Sequence, residues 1–181
     1  MLKMIKKIKN FLDNEQKQFI SKTVLGPNFP FYLNDHTVGK GNKAEDPNNY
    51  FFSHNIILRP ENRNPDILFN SEYHPFFINL VKKVFTKLKI KPKEFYRMSL
   101  NLTYPNGIIK CPRHVDHSYK HKTLILYLND CDKKACTYIE EKNKTKEIKP
   151  IFNTGVFFDD NVHYMKNPTK GLRLVLVTTF I

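Results

Sequence analysis

Tryptophan is absent from this chain, arginine occurs only five times against 25 lysines, and cysteine only three times in 181 residues. Each scarcity excludes something. Cys111, Cys131 and Cys136 leave an odd count and form no C-x-x-C pair, which excludes a disulfide framework and a cysteine zinc site and fits a reducing compartment. No apolar run reaches the roughly 18 residues that a membrane span requires. The opening Met1–Lys9 is too short in apolar residues for a secretory signal and lacks transit-peptide character, so the expected location is the cytoplasm, with no membrane partner.

What is present is the balance of a folded domain: 40% hydrophobic, 13% aromatic and 26% charged residues. The length fits one domain, residues 1–181. The net charge of +13 would ordinarily point to an anionic partner. Here the excess is almost all lysine, alongside 19 asparagines, which is what an AT-rich coding sequence writes on solvent-facing positions. Lysine is also a poor base reader compared with arginine, so the charge reads as solvated surface, with nucleic acid or an acidic partner as the alternative.

Asp13 or Asn14 is placed to cap a helix running to about Lys22, stopped by Gly26-Pro27. From Asn28 to Asn70 the chain is punctuated by Gly39, Gly41, Pro47, Pro60 and Pro65, with strand-like runs at Phe29–Leu33 and Tyr50–Leu58, and reads as a loop-rich arm. Phe76, Phe77, Leu80, Val81, Val84, Phe85 and Leu88 recur at spacings of three and four, predicting an amphipathic helix over Glu72–Leu88. After Pro92 the period becomes two, predicting strands near Tyr96–Tyr104, Arg113–His117, Thr123–Asn129, Thr137–Glu140, Gly155–Asp159 and Leu172–Phe180, with Lys142–Lys146 a hairpin loop. Helices followed by many short strands describe an α+β protein whose functional half is a β-sandwich or barrel. Residues 1–92 would be the helical and loop-rich support and residues 93–181 the catalytic core.

His114-Val115-Asp116 lies in a strand-like segment, so its two polar side chains fall on one side and can reach one ion. Alone the pair is weak, since composition supplies about 0.35 such pairs per chain by chance. His163, just past the apolar Val156-Phe157-Phe158, offers a third ligand. Two imidazoles and a carboxylate with open positions are the facial triad of non-haem Fe(II) oxygenases. Arg173 stands ten residues on, sharing a strand face with Val175, Val177 and Thr179; a guanidinium on such a face needs an anion, and its fork suits a carboxylate. On Thr123–Asn129 the leucines 124, 126 and 128 share one face, which turns Tyr127 inward toward that same carboxylate.

Tyr104-Pro105-Asn106-Gly107, Arg113-His114-Val115-Asp116, Leu126-Tyr127-Leu128-Asn129 and His163 with Arg173 together resemble the 2-oxoglutarate- and Fe(II)-dependent dioxygenases. The likeness is to the prolyl 4-hydroxylase-like branch and its short phage members, and it spans nearly the whole chain. The resemblance implies a double-stranded β-helix, or jelly-roll, barrel with the N-terminal helices on the outer face of one sheet. It implies Fe(II) on His114, Asp116 and His163, 2-oxoglutarate held by Arg173 with Tyr127, and Tyr104 lining the co-substrate pocket. It further implies hydroxylation of an unactivated C–H bond with O2, giving succinate and CO2, with ascorbate supporting turnover and a peptide or protein residue such as proline as substrate. The chain departs from the family at Asp130–Thr137, where a Gly-Gly-x-Thr turn is common, and in the longer spacing from Pro150 to Gly155.

Of the other histidines, His117 and His121 read as pocket-rim or surface residues, and His36, His54 and His74 as loop or helix-start residues. Asp159 and Asp160 read as turn residues. Phe51, Phe52, Phe76 and Phe77 read as core aromatics, and Cys111 as a packing residue near the iron. The rival to an enzyme is a β-helix binding module that has kept the metal site, or lost turnover, and uses its lysines on nucleic acid or an acidic partner.

Overall fold

The computed structural model describes residues 4–34, 50–64, 68–142 and 144–181. His36, Gly39, Gly41, Pro47 and Pro65 lie outside the described residues. The first strand, β1 (Ile5–Lys9), is followed by helix α1 (Asn14–Phe19), whose last turn widens into a π-helical turn over Ile20–Val24. Asp13 starts α1 through a capping box: its carboxylate accepts from the Gln16 amide at 2.9 Å, and the Gln16 side chain accepts from the Asp13 amide at 3.0 Å. Two strands, β2 (Tyr32–Asn34) and β3 (Phe51–Ile57), and a 3₁₀ turn at Pro60–Asn62 precede helix α2 (His74–Leu88). Lys89 ends α2 in the left-handed conformation.

The remaining strands are β4 (Phe95–Thr103), β5 (Lys122–Tyr127), β6 (Thr137–Glu141), β7 (Lys144–Ile148), β8 (Thr154–Asp159), β9 (His163–Met165) and β10 (Arg173–Phe180). They form two sheets. The large one runs β1-β8-β5-β10-β4-β3-β2 and the small one β7-β6-β9, with antiparallel pairing throughout. This is the jelly-roll barrel expected, with both helices on the outer face of the large sheet.

Period two divides the large sheet into two cores. On the outer face Leu124, Leu126, Leu128, Leu174, Leu176, Leu100 and Phe157 pack with Phe77, Leu80, Val81 and Val84 of α2 and with Phe11 and Ile20. On the inner face Ile125, Tyr127, Val156, Phe158, Val175 and Val177 meet Ile139 and Ile148 of the small sheet. Gly155 sits where β1, β5 and β8 meet on the outer face. A Cβ there would lie 2.5 Å from a Leu126 methyl and 2.8 Å from the Ile125 carbonyl oxygen, so only glycine fits without a shift.

Several expectations need correction. Ile5–Lys9 is a strand, added to the large sheet edge through β8. The arm before α2 supplies β2 and β3, with β3 paired to β4, so the first 92 residues contribute three strands to the barrel and are more than helical and loop-rich support. Lys144–Ile148 is strand β7, not loop. Arg113–His117 is not a continuous strand: it touches the small sheet through a single bridge, His114 to His163. Short alternating polar sequence gave no signal for β1 and β7, because pairing with apolar neighbours decides them.

Candidate metal and co-substrate site

The two histidines are brought together by that bridge. The His114 amide donates to the His163 carbonyl at 3.0 Å and the His163 amide to the His114 carbonyl at 2.9 Å, so the pair is directly opposed and both rings leave on one side. Their ring centroids are 4.5 Å apart. Asp116 completes the group, and one ligand atom from each of the three residues lies within 4.8 Å of the others. The Asp116 carboxylate oxygen Oδ2 stands 3.7 Å from Nε2 of His163.

Each imidazole is oriented by its backbone. Nδ1 of His114 lies 2.9 Å from the Pro112 carbonyl, and Nδ1 of His163 lies 3.0 Å from the Asn161 carbonyl. A carbonyl only accepts, so both Nδ1 atoms carry the proton and both Nε2 lone pairs face the cluster. Burial and the neighbouring His163 push the His114 pKa down to about 4, which keeps that ring neutral and able to ligate. Burial by itself would raise the Asp116 pKa, but the two imidazoles, Arg97 and Arg59 override it and hold the carboxyl well below the usual range. Thr123 donates to Oδ2 of Asp116 at 3.0 Å. A neutral pair of Nε2 donors and an ionised carboxylate fit a divalent first-row metal such as Fe(II).

Arg173 enters the same cavity from the far end of β10 and is 3% exposed. Its Nη2 donates to Oγ1 of Thr137 at 3.0 Å, and the guanidinium lies over the Tyr127 ring at 5.5 Å. Tyr127 itself donates to Thr137 Oγ1 at 2.8 Å. Nε of Arg173 has no hydrogen-bond partner, and no ion pair among the described residues includes this arginine. A buried cation with an orphaned donor calls for an anionic ligand, and a dicarboxylic keto acid spanning from arginine to metal fits that need.

The structure therefore brings together His114, Asp116, His163, Arg173 and Tyr127. Tyr104 is the exception. It follows Thr103, which lines the cavity, so its side chain takes the opposite face; it is 43% exposed and packs edge-on against Phe52 at 6.2 Å. His117 and His121 are also corrected, from rim residues to buried ones. Nδ1 of His117 accepts from Arg59 at 3.1 Å, and Nε2 donates to Thr179 Oγ1 at 2.7 Å. Burial and Arg59 push its pKa down to about 4. Arg59 also donates to the Asp116 carbonyl, fixing the ligand loop. Phe51 lines the cavity instead of the core, whereas Phe77 is fully buried under α1.

Sequence reading missed Arg59, Arg97, Thr123, Thr137 and Asn101, all of which line the cavity or touch the ligands. One signal was available. Among the described residues three of the five arginines, and no lysine, line this cavity of about 100 Å³. In a chain that otherwise writes lysine, each arginine marks a place where the planar fork matters.

No protein-family model matches the sequence. No similar protein was found among curated sequences. The fold has clear relatives among solved structures. A 2OG-Fe(II) oxygenase family oxidoreductase from Burkholderia pseudomallei superposes with a TM-score of 0.72 at 12% identity, covering 98% of this chain and 84% of that one. A Trichoplax adhaerens prolyl hydroxylase, solved with a peptide of the hypoxia inducible factor oxygen degradation domain, gives 0.67 at 17% identity over 98% and 83%. A Pseudomonas putida prolyl-4-hydroxylase gives 0.59 at 15% identity over 98% and 91%. The chain has the jelly-roll fold of the 2OG-Fe(II) oxygenases.

Proposed function

We propose that this protein is an Fe(II)- and 2-oxoglutarate-dependent dioxygenase that hydroxylates an unactivated C–H bond. The observation that carries the reading is a His-Asp-His cluster and a buried, anion-seeking arginine in one cavity of this fold. Nε2 of His114, Nε2 of His163 and the Asp116 carboxylate would hold the iron. Arg173, steadied by Tyr127 and Thr137, would bind the far carboxylate of 2-oxoglutarate. Bound iron with 2-oxoglutarate and O2 supplies the oxidising chemistry, in which one oxygen atom enters the substrate and the other enters succinate, with release of CO2.

The chain's own part is orientation and dryness. Ile125, Val175 and Val177 form the apolar floor between Arg173 and the cluster, excluding water from the reacting centre. Thr123 and Arg59 hold Asp116 at its oxygen and its backbone, so the carboxylate is set before metal arrives. The prolyl hydroxylase neighbours, one of them bound to a peptide, support a peptide or protein residue such as proline as the substrate class. Ascorbate is the expected reductant for sustained turnover. Among the described residues no helix is long and apolar enough to cross a membrane.

The test is anaerobic Fe(II) titration of the metal-free protein with and without 2-oxoglutarate, following the weak visible band of the iron–keto acid chelate. The band should appear in the wild type and vanish in His163→Ala. A folded wild type that never forms it refutes the enzyme reading. Salt-sensitive nucleic-acid binding would then be sought in the groove lined by Lys133, Lys134, Lys149 and Lys166.

A further inference from the structure

The cavity holds a second cationic end that the metal and 2-oxoglutarate do not use. On β10 the inward positions run Arg173, Val175, Val177, Thr179, and Arg97 of β4 is paired opposite Thr179. Six residues at about 3.3 Å each place Arg97 roughly 20 Å along the strand from Arg173. Arg59 reaches the same end through the Asp116 carbonyl and lines the cavity with Arg97, while Asn101 and Thr103 of β4 continue the inward face toward Arg173.

The charges at this end do not balance. Nη1 of Arg97 is 3.8 Å from Oδ1 of Asp116, too long for a hydrogen bond, and Arg97 donates no hydrogen bond among the described residues. Among the described residues Asp116 is the one buried carboxylate at this end, and a bound metal would claim it. Glu61 is exposed and accepts from the Tyr119 hydroxyl at 3.5 Å. Arg59 spends hydrogen bonds on the Asp116 carbonyl and His117 Nδ1, but the Arg97 guanidinium, whose one buried counter-charge among the described residues is committed to a metal, is costly at a cavity wall unless a ligand supplies an anion. That both are arginines in a lysine-rich chain points to a planar, forked partner for an oxyanion.

Resting on the hydroxylase reading, we propose that Arg97, assisted by Arg59, binds an oxyanion of the primary substrate, at the end of the cavity opposite Arg173. Because Arg97 is one carboxylate away from the metal position, that oxyanion lies only a few bonds from the carbon to be hydroxylated. The substrate class is therefore a residue or small molecule carrying its own carboxylate or phosphate: a free amino acid, a chain-terminal or acidic residue, or a phosphomonoester. An internal proline with neutral flanks does not meet the requirement.

The test uses the full chain loaded with Mn(II) and saturating 2-oxoglutarate, so that the Arg173 end is filled. Inorganic phosphate and [1-13C]acetate are added separately, and the paramagnetic relaxation of 31P or 13C reports an anion near the metal, while free Mn(II) is followed by electron paramagnetic resonance. Saturable relaxation is expected in the wild type, weakened at least about tenfold in Arg97→Gln, reduced in Arg59→Gln and partly recovered in Arg97→Lys. Lys133→Gln, outside this cavity, should match the wild type. The stronger of the two probes tells phosphate-bearing from carboxylate-bearing substrates. Loaded wild type without saturable relaxation, or Arg97→Gln equal to wild type, overturns the proposal. So does an Arg97→Gln variant that loses only Mn(II) affinity, because Arg97 would then merely position Asp116. A wild type that takes up no Mn(II) refutes the hydroxylase reading itself, and the proposal falls with it.

Discussion

The two faces of the large sheet are built from the same strands and do opposite work. The outer face is largely apolar, interrupted by buried His54 and Thr178, and is covered by α1 and α2. The inner face is apolar only in its middle, at Ile125, Val175 and Val177, and carries charge at both ends, Arg173 at one and Arg97 with Asp116 at the other. Buried polar groups with incomplete partners cost stability, and the outer face supplies the surplus that tolerates them. Strand alternation thus lets one sheet separate folding from chemistry.

That separation can be broken from either side. The largest effect is expected from Asp116→Ala, which removes the charged ligand: Fe(II) binding and succinate release should fall to background while circular dichroism stays native. Retained turnover would contradict the assignment. On the outer face Leu126→Ala should cost about 2–5 kcal/mol in denaturant unfolding, yet leave the chelate band of the folded fraction unchanged. A loss of the band in folded Leu126→Ala protein would show that the two faces are coupled.

Acid sharpens the contrast, because the two large histidine shifts lie on the inner side, while burial lowers the pKa of His54 on the outer face in the same direction. His114 and His117 have pKa values near about 4 when folded, against an ordinary 6.5. The unfolded chain takes up protons near pH 6.5 that the folded chain refuses until about pH 4, so stability is level above that window and falls as pH drops through it. Asp116 adds a loss of the same sign below the ordinary carboxylate range. The melting temperature of metal-free protein should decline from about pH 6.5 to pH 4, and His117→Gln should flatten part of the slope. The smallest effect is Tyr127→Phe, which removes one buried hydrogen bond to Thr137, about 1 kcal/mol, and should raise the 2-oxoglutarate concentration needed for the chelate band.

Much of this was legible along the chain. The three- and four-residue spacing of Phe77, Leu80, Val81, Val84 and Leu88 specifies α2, and the alternation of Leu124, Leu126 and Leu128 assigns Tyr127 to the other face. Periodicity is local, so it survives without knowledge of neighbours. At Tyr104 it was the family resemblance that implied a pocket role, whereas parity puts this residue on the face opposite Thr103; periodicity itself failed in the broken segment that carries His114 and Asp116.

By itself, then, the sequence determined the helix faces, the strand alternation, and the residue types proposed to hold a metal and a carboxylate: His114, Asp116, His163 and Arg173. Only the tertiary structure decided that Arg59, Arg97, Thr123, Thr137 and His117 surround them. Those contacts join residues far apart in the chain. Their positions follow from sheet register and from a single backbone bridge between His114 and His163, and no local spacing encodes either.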